Sequence, residues 1–147
     1  MKKFLLVVTV SLFNFSFSQN NKGKLFIIGG GSRPDFLVDR MVKEAGLNPG
    51  DAVAIFPQAS SEQDSSFYYA KQQFEKRNLK AVNYAFKKGE KLPSSKLDSL
   101  KKAKLIYVGG GDQVIFMDII NTYPEVKNIL QESYEKGNMI AGTSAGA

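Results

Sequence analysis

One arrangement recurs along this chain and leaves few folds open to it. A short apolar run ends in glycine and an amphipathic stretch follows. Leu25-Phe26-Ile27-Ile28 runs into Gly29-Gly30-Gly31, Leu105-Ile106-Tyr107-Val108 into Gly109-Gly110-Gly111, and Asn138 to Gly142 into Thr143-Ser144-Ala145-Gly146-Ala147. Continuous rather than alternating apolar runs read as strands buried on both faces, the condition of a parallel sheet between two layers of helix. Ala52 to Phe56 and Lys80 to Ala85 fit as two further strands. Between them lie helical spacings: Leu37 and Met41 with Val38 and Val42; Phe67, Ala70 and Phe74; Leu97 and Leu100; Val114, Met117 and Ile120; Val126, Ile129, Leu130 and Tyr134. Five strands alternating with helices predict an α/β domain with a mostly parallel sheet and helices on both faces.

Local signals place the boundaries. Ser32-Arg33-Pro34-Asp35 predicts a helix start with Ser32 as cap, Pro34 in the first turn and Asp35 at the positive end, and Gly46 stops that helix. Asn48-Pro49-Gly50-Asp51 is a turn, and residues 87–95 form a polar connection. Thr122-Tyr123-Pro124-Glu125 matches a capping box, and Gly137 ends the helix it opens.

The first eighteen residues stand apart. Met1-Lys2-Lys3 is basic, an apolar run follows, and Ser16-Phe17-Ser18 places small residues before Gln19, the layout of a cleaved secretory signal. The run is too short to span a bilayer. The expectation is an exported chain, periplasmic or secreted, with no stable membrane association after cleavage and one domain over residues 19–147. Without Lys2 and Lys3, the 20 basic residues fall to 18 against 14 acidic ones. The lysines are scattered, so nothing argues for nucleic acid. The chain holds no cysteine and no histidine, which removes thiolate and imidazole from any metal site or catalytic group.

Three informative segments fall at carboxyl ends of predicted strands, where open α/β sheets bind ligands. Gly142-Thr143-Ser144-Ala145-Gly146 is a G-x-S-x-G pattern, which composition alone yields about once in ten such chains. Its place after a buried strand makes Ser144 a candidate nucleophile, with the Ala145 amide aimed at a developing oxyanion. A plain glycine-rich turn is the simpler alternative. Gly109-Gly110-Gly111-Asp112-Gln113 suits an oxyanion loop or an anion cradle, or Asp112 and Gln113 only cap a helix. Arg33 meets a substrate carboxylate or is a surface arginine. Ser60, after Pro57-Gln58-Ala59, caps the next helix or lines the cleft.

Taken together, IIGGG, IFPQAS, YVGGGDQ and NMIAGTSAGA, in that order, resemble the cyanophycinase and dipeptidase E family of serine peptidases. The similarity spans the mature chain and is closer to the cyanophycinase-like members. It implies a flavodoxin-like fold related to class I glutamine amidotransferases, incomplete at the C-terminus of this chain. It also implies Ser144 as nucleophile, an oxyanion hole from Ala145 and either Gly110 or Gly111, and Asp112 and Gln113 lining the substrate site. The implied reaction is hydrolysis of aspartyl peptides, β-aspartyl-arginine in cyanophycin-like substrates, without metal or organic cofactor. Family members continue past the serine to a histidine and an acidic partner. The expectation is therefore an N-terminal part that is inactive by itself, its oligomeric state left open between monomer and homodimer. A non-catalytic ligand-binding module and a degenerate pseudogene product are the alternatives.

Overall fold

The computed structural model describes residues 22–147, so the predicted export signal lies outside the described residues. Five strands carry the architecture: β1 (Lys24–Ile28), β2 (Ala52–Phe56), β3 (Lys80–Asn83), β4 (Leu105–Val108) and β5 (Met139–Thr143). The helices between them are α1 (Asp35–Glu44), α2 (Gln63–Glu75), α3 (Ser94–Lys101), α4 (Gln113–Asn121) and α5 (Pro124–Glu135), and a 3₁₀ turn over Ser144–Gly146 follows β5. The sheet order is β1-β5-β4-β2-β3 with every pair parallel. The chain runs outward from β1 to β3, then returns to place β4 and β5 in the gap it left.

That reversal sorts the helices. Right-handed crossovers put those of the outward moves on one face and those of the return on the other. Val38 and Met41 of α1 and Ala70 and Phe74 of α2 pack with Val53, Ile55, Leu105, Tyr107, Met139 and Ala141. Leu100, Ile119, Ile120, Val126 and Ile129 of α3 to α5 pack with Ala54, Phe56, Ile106 and Val108. All four residues of β4 are therefore buried, which is why its sequence does not alternate. β1 differs. Phe26 and Ile28 face α1 and α2, but Leu25 and Ile27 lie 61% and 72% exposed on the face that α4 and α5 leave uncovered.

Several boundaries depart from the sequence reading. Ser32 does not cap α1; Pro34 holds the cap position and the helix begins at Asp35. β3 stops at Asn83, whose side chain accepts the Ala85 amide at 2.8 Å and turns the chain. Thr122 does not open a capping box, because its hydroxyl donates to the Ile119 carbonyl at 2.6 Å and closes α4. The buried face of α4 is Ile119 and Ile120 rather than the predicted Val114, Met117 and Ile120. Val114 and Met117 are exposed because only the last turns of α4 reach the core.

Candidate functional site

The carboxyl ends of β1, β5 and β4 lie side by side, with Ile28 beside Thr143 and Val108 beside Gly142. The two triple-glycine loops therefore flank the Gly-Thr-Ser-Ala-Gly turn. Leaving the extended Thr143, the backbone flips to φ +52° at Ser144, the left-handed region that disfavours residues with a Cβ. The turn exposes the Ser144 side chain and carries the following residues back over the strand end. A Cβ at Gly142 would enter the Gly146 carbonyl, and one at Gly146 would enter the carbonyls of Val108 and Gly109. Glycines two residues either side of the serine thus have a steric cause.

The loop after β4 is fastened to the loop after β2. The Gly109 amide donates to the Phe56 carbonyl at 2.8 Å and the Asp112 amide to the Ala59 carbonyl at 2.7 Å. Between these anchors, Gly110 lies against the nucleophile candidate: a Cβ there would stand 3.1 Å from Ser144 Cβ and 3.2 Å from the Thr143 carbonyl oxygen. Among the described residues, the Gly110 and Gly111 amides make no backbone hydrogen bond. They are available to a ligand beside an exposed hydroxyl. The Asp112 carboxylate accepts the Val114 amide at 2.7 Å and caps α4, while Gln113 is the exposed first residue of that helix. Ser60 does not cap α2, whose cap position is Glu62; its hydroxyl accepts the Glu62 amide at 3.1 Å and shapes the turn before the helix.

Gln58, Tyr107 and Gln73 brace the surroundings of the site, and the sequence reading did not single them out. Gln58 is fully buried where β2 ends, donating to the Tyr84 carbonyl at 2.5 Å. Tyr107, buried on β4, packs edge-on against Phe74 with ring centres 5.5 Å apart. Its hydroxyl meets Arg33 Nη1 at 2.8 Å, and Arg33 Nε donates to Gln73 Oε1 at 3.0 Å. Arg33 is thus a half-buried strut between the β1 loop, β4 and α2 rather than a free surface arginine. Burial pushes the Tyr107 pKa up, opposed by the Arg33 charge and by the Thr143 hydroxyl. A hydroxyl within an otherwise apolar strand was the available signal for Tyr107, since a buried phenol needs a partner. Among the described residues no cluster of acidic side chains is arranged to hold a metal ion.

No curated protein matches this sequence. Among solved structures, a peptidase from an acI-B1 Actinobacterium superposes with a TM-score of 0.69 at 22% identity, over 88% of this chain and 57% of that one. A protein of Listeria monocytogenes EGD-e described as peptidase E superposes with a TM-score of 0.67 at 22% identity, over 86% of this chain and 60% of that one. The chain thus spans less than two thirds of the length of either, and at this identity the likeness speaks for the fold. Sequence carries the family: the profile of Peptidase family S51 matches residues 25–147, from β1 through the Ser144 turn. The chain belongs to Peptidase family S51, a family of serine-type peptidases.

Proposed function

We infer that this chain is the nucleophile-bearing part of an exported serine peptidase acting on aspartyl peptides, with β-aspartyl-arginine bonds of cyanophycin-like substrates among the candidates. The observation that carries the reading is Ser144 itself, exposed at φ +52° with Gly110 against its side chain. In this reading Ser144 Oγ attacks the carbonyl carbon of the scissile bond. The amides of Ala145 and of Gly110 or Gly111 hold the oxyanion. The C–N bond then breaks, the amine leaves with a proton, and water hydrolyses the acyl-serine. A serine hydroxyl needs an adjacent base to react at useful rates, and these 147 residues contain no histidine. In this reading the base is a group outside these 147 residues, and the 147-residue chain alone is expected to be inactive. Asp112 and Gln113 would border the substrate, with Asp112 also fixing the start of α4.

The test uses both the product of the complete reading frame and the 147-residue chain. The complete product is expected to label with a fluorophosphonate probe, to lose labelling in Ser144→Ala, and to cleave a β-aspartyl dipeptide. The short chain is expected to do neither. Labelling that survives Ser144→Ala would refute the nucleophile assignment, and turnover by the short chain would refute the missing base. Ligand binding without turnover by the complete product would favour a non-catalytic module instead.

A further inference from the structure

Arg33 presents an unspent charge. A guanidinium has five N–H donors; Gln73 and Tyr107 take two of them, and Nη2 donates to nothing among the described residues. No carboxylate pairs with it either: the ion pairs of the described residues involve Lys24, Lys71, Lys76, Arg77, Lys88, Lys101, Lys104 and Lys136. A half-buried guanidinium held in one orientation with N–H groups left over is a pre-set donor for a carboxylate.

The space beside it suits such an anion. Gly31, Ser32 and Arg33 form one wall of a groove of about 490 Å³, and Tyr69 and Gln73 of α2 with Lys76 just past its end are on the other. That size falls within the range of small-molecule sites. Asp35 also borders the groove, but Lys76 at 2.9 Å and Arg77 at 3.2 Å already answer its charge. The balance of Arg33, Lys76 and Asp35 is positive. The loop that carries one wall of the groove also borders the serine turn. A Cβ at Gly30 would lie 3.7 Å from Ser144 Oγ, and the next residue, Gly31, lines the groove.

We propose that this groove is a substrate subsite in which Arg33 binds a carboxylate of the peptide. The assignment rests on the peptidase reading above and adds a residue that selects the substrate. Gln73 and Tyr107 hold the guanidinium plane, leaving Nη2 and the second Nη1 hydrogen for the two carboxylate oxygens, the bidentate geometry that favours arginine over lysine. The Asp35–Lys76 pair lies at the rim and leaves Arg33 as the charge that the carboxylate meets. An aspartyl side chain or a terminal carboxylate would therefore be drawn to the side of Ser144 that carries the β1 loop.

N-acetyl-L-aspartate is the probe, titrated into the 147-residue chain and followed by amide chemical shifts. Expected are shifts at residues 31–33 and 72–76, affinity at least about tenfold weaker in Arg33→Gln, and intermediate binding in Arg33→Lys. N-acetyl-L-asparagine amide, which carries no carboxylate, should bind at least about tenfold more weakly. Equal binding of the two probes, shifts confined to other surfaces, or unchanged affinity in Arg33→Gln would overturn the proposal. If Arg33→Gln fails to fold, Lys76→Gln decides: a severalfold loss supports the groove and no loss refutes it. The two readings fail separately. Arg33-dependent binding with Ser144-independent probe labelling would remove the nucleophile and keep the subsite, and the converse would remove the subsite alone.

Discussion

The backbone at Ser144 allows a comparison whose sign is the opposite of the ordinary one. Ser144→Ala and Ser144→Gly both delete a hydroxyl that makes no hydrogen bond among those of the described residues, so they differ only in the Cβ. At an ordinary position glycine is less stable than alanine by about 0.5–1 kcal/mol, because its unfolded chain has more freedom to lose. At φ +52° the alanine Cβ instead crowds the backbone, at about 1–2 kcal/mol for the left-handed region. The second effect exceeds the first, so Ser144→Gly should be the more stable variant by about 0.5–1 kcal/mol. With a urea slope of about 2 kcal/mol/M for a domain of this size, its unfolding midpoint should stand about 0.25–0.5 M above that of Ser144→Ala, at equal slope. Equilibrium urea titrations followed by circular dichroism read this directly. A midpoint for Ser144→Gly at or below that of Ser144→Ala would mean that the turn relaxes out of the left-handed region, and the nucleophile-turn reading would lose its support.

Two more predictions follow from the same surroundings. The Tyr107 pKa is raised in the folded chain, so the stability it confers is complete below its unfolded value near 10 and drains away as pH rises beyond it. Tyr107→Phe should flatten that alkaline decline in the urea midpoint without abolishing it, since burial raises Tyr84 as well; a profile superimposing on the parent's would contradict the assignment. Asp112→Ala should cost about 1 kcal/mol through the lost α4 cap while Asp112→Asn costs little. If Asp112→Asn is stable yet impairs turnover of the complete product, the carboxylate also serves the substrate; unimpaired turnover would restrict it to capping.

Much of the layered fold was legible because its causes are local. Val53 to Phe56 and Leu105 to Val108 are apolar at every position since each strand is covered twice, and a run of four or five residues suffices to say so. Boundaries were less legible where one residue had two neighbours to serve. Thr122 could cap the helix after it or close the helix before it, and it does the second because only Tyr123 separates it from α5. The exposed face of α4 was hidden for a related reason, since helical spacing shows that an apolar face exists but not how far the core extends beneath it.

The site divides along the same line. Ser144 between Gly142 and Gly146 could be read directly, because the reversal that lifts a serine off a strand end is made within five consecutive residues whose glycines admit close backbone contact. The sequence set both triple-glycine loops at the same sheet edge as that serine, and the resemblance implied Gly110 or Gly111 beside it, but neither gave the strand order that makes both loops its direct neighbours. That adjacency follows from β5 entering between β1 and β4, an order set by how two helical layers cover one sheet. Arg33 illustrates the difference. Its partners Gln73 and Tyr107 lie 40 and 74 residues away, beyond the reach of any periodic pattern. Tertiary packing alone turned a loop arginine into a fixed cation in the loop that borders the Ser144 turn.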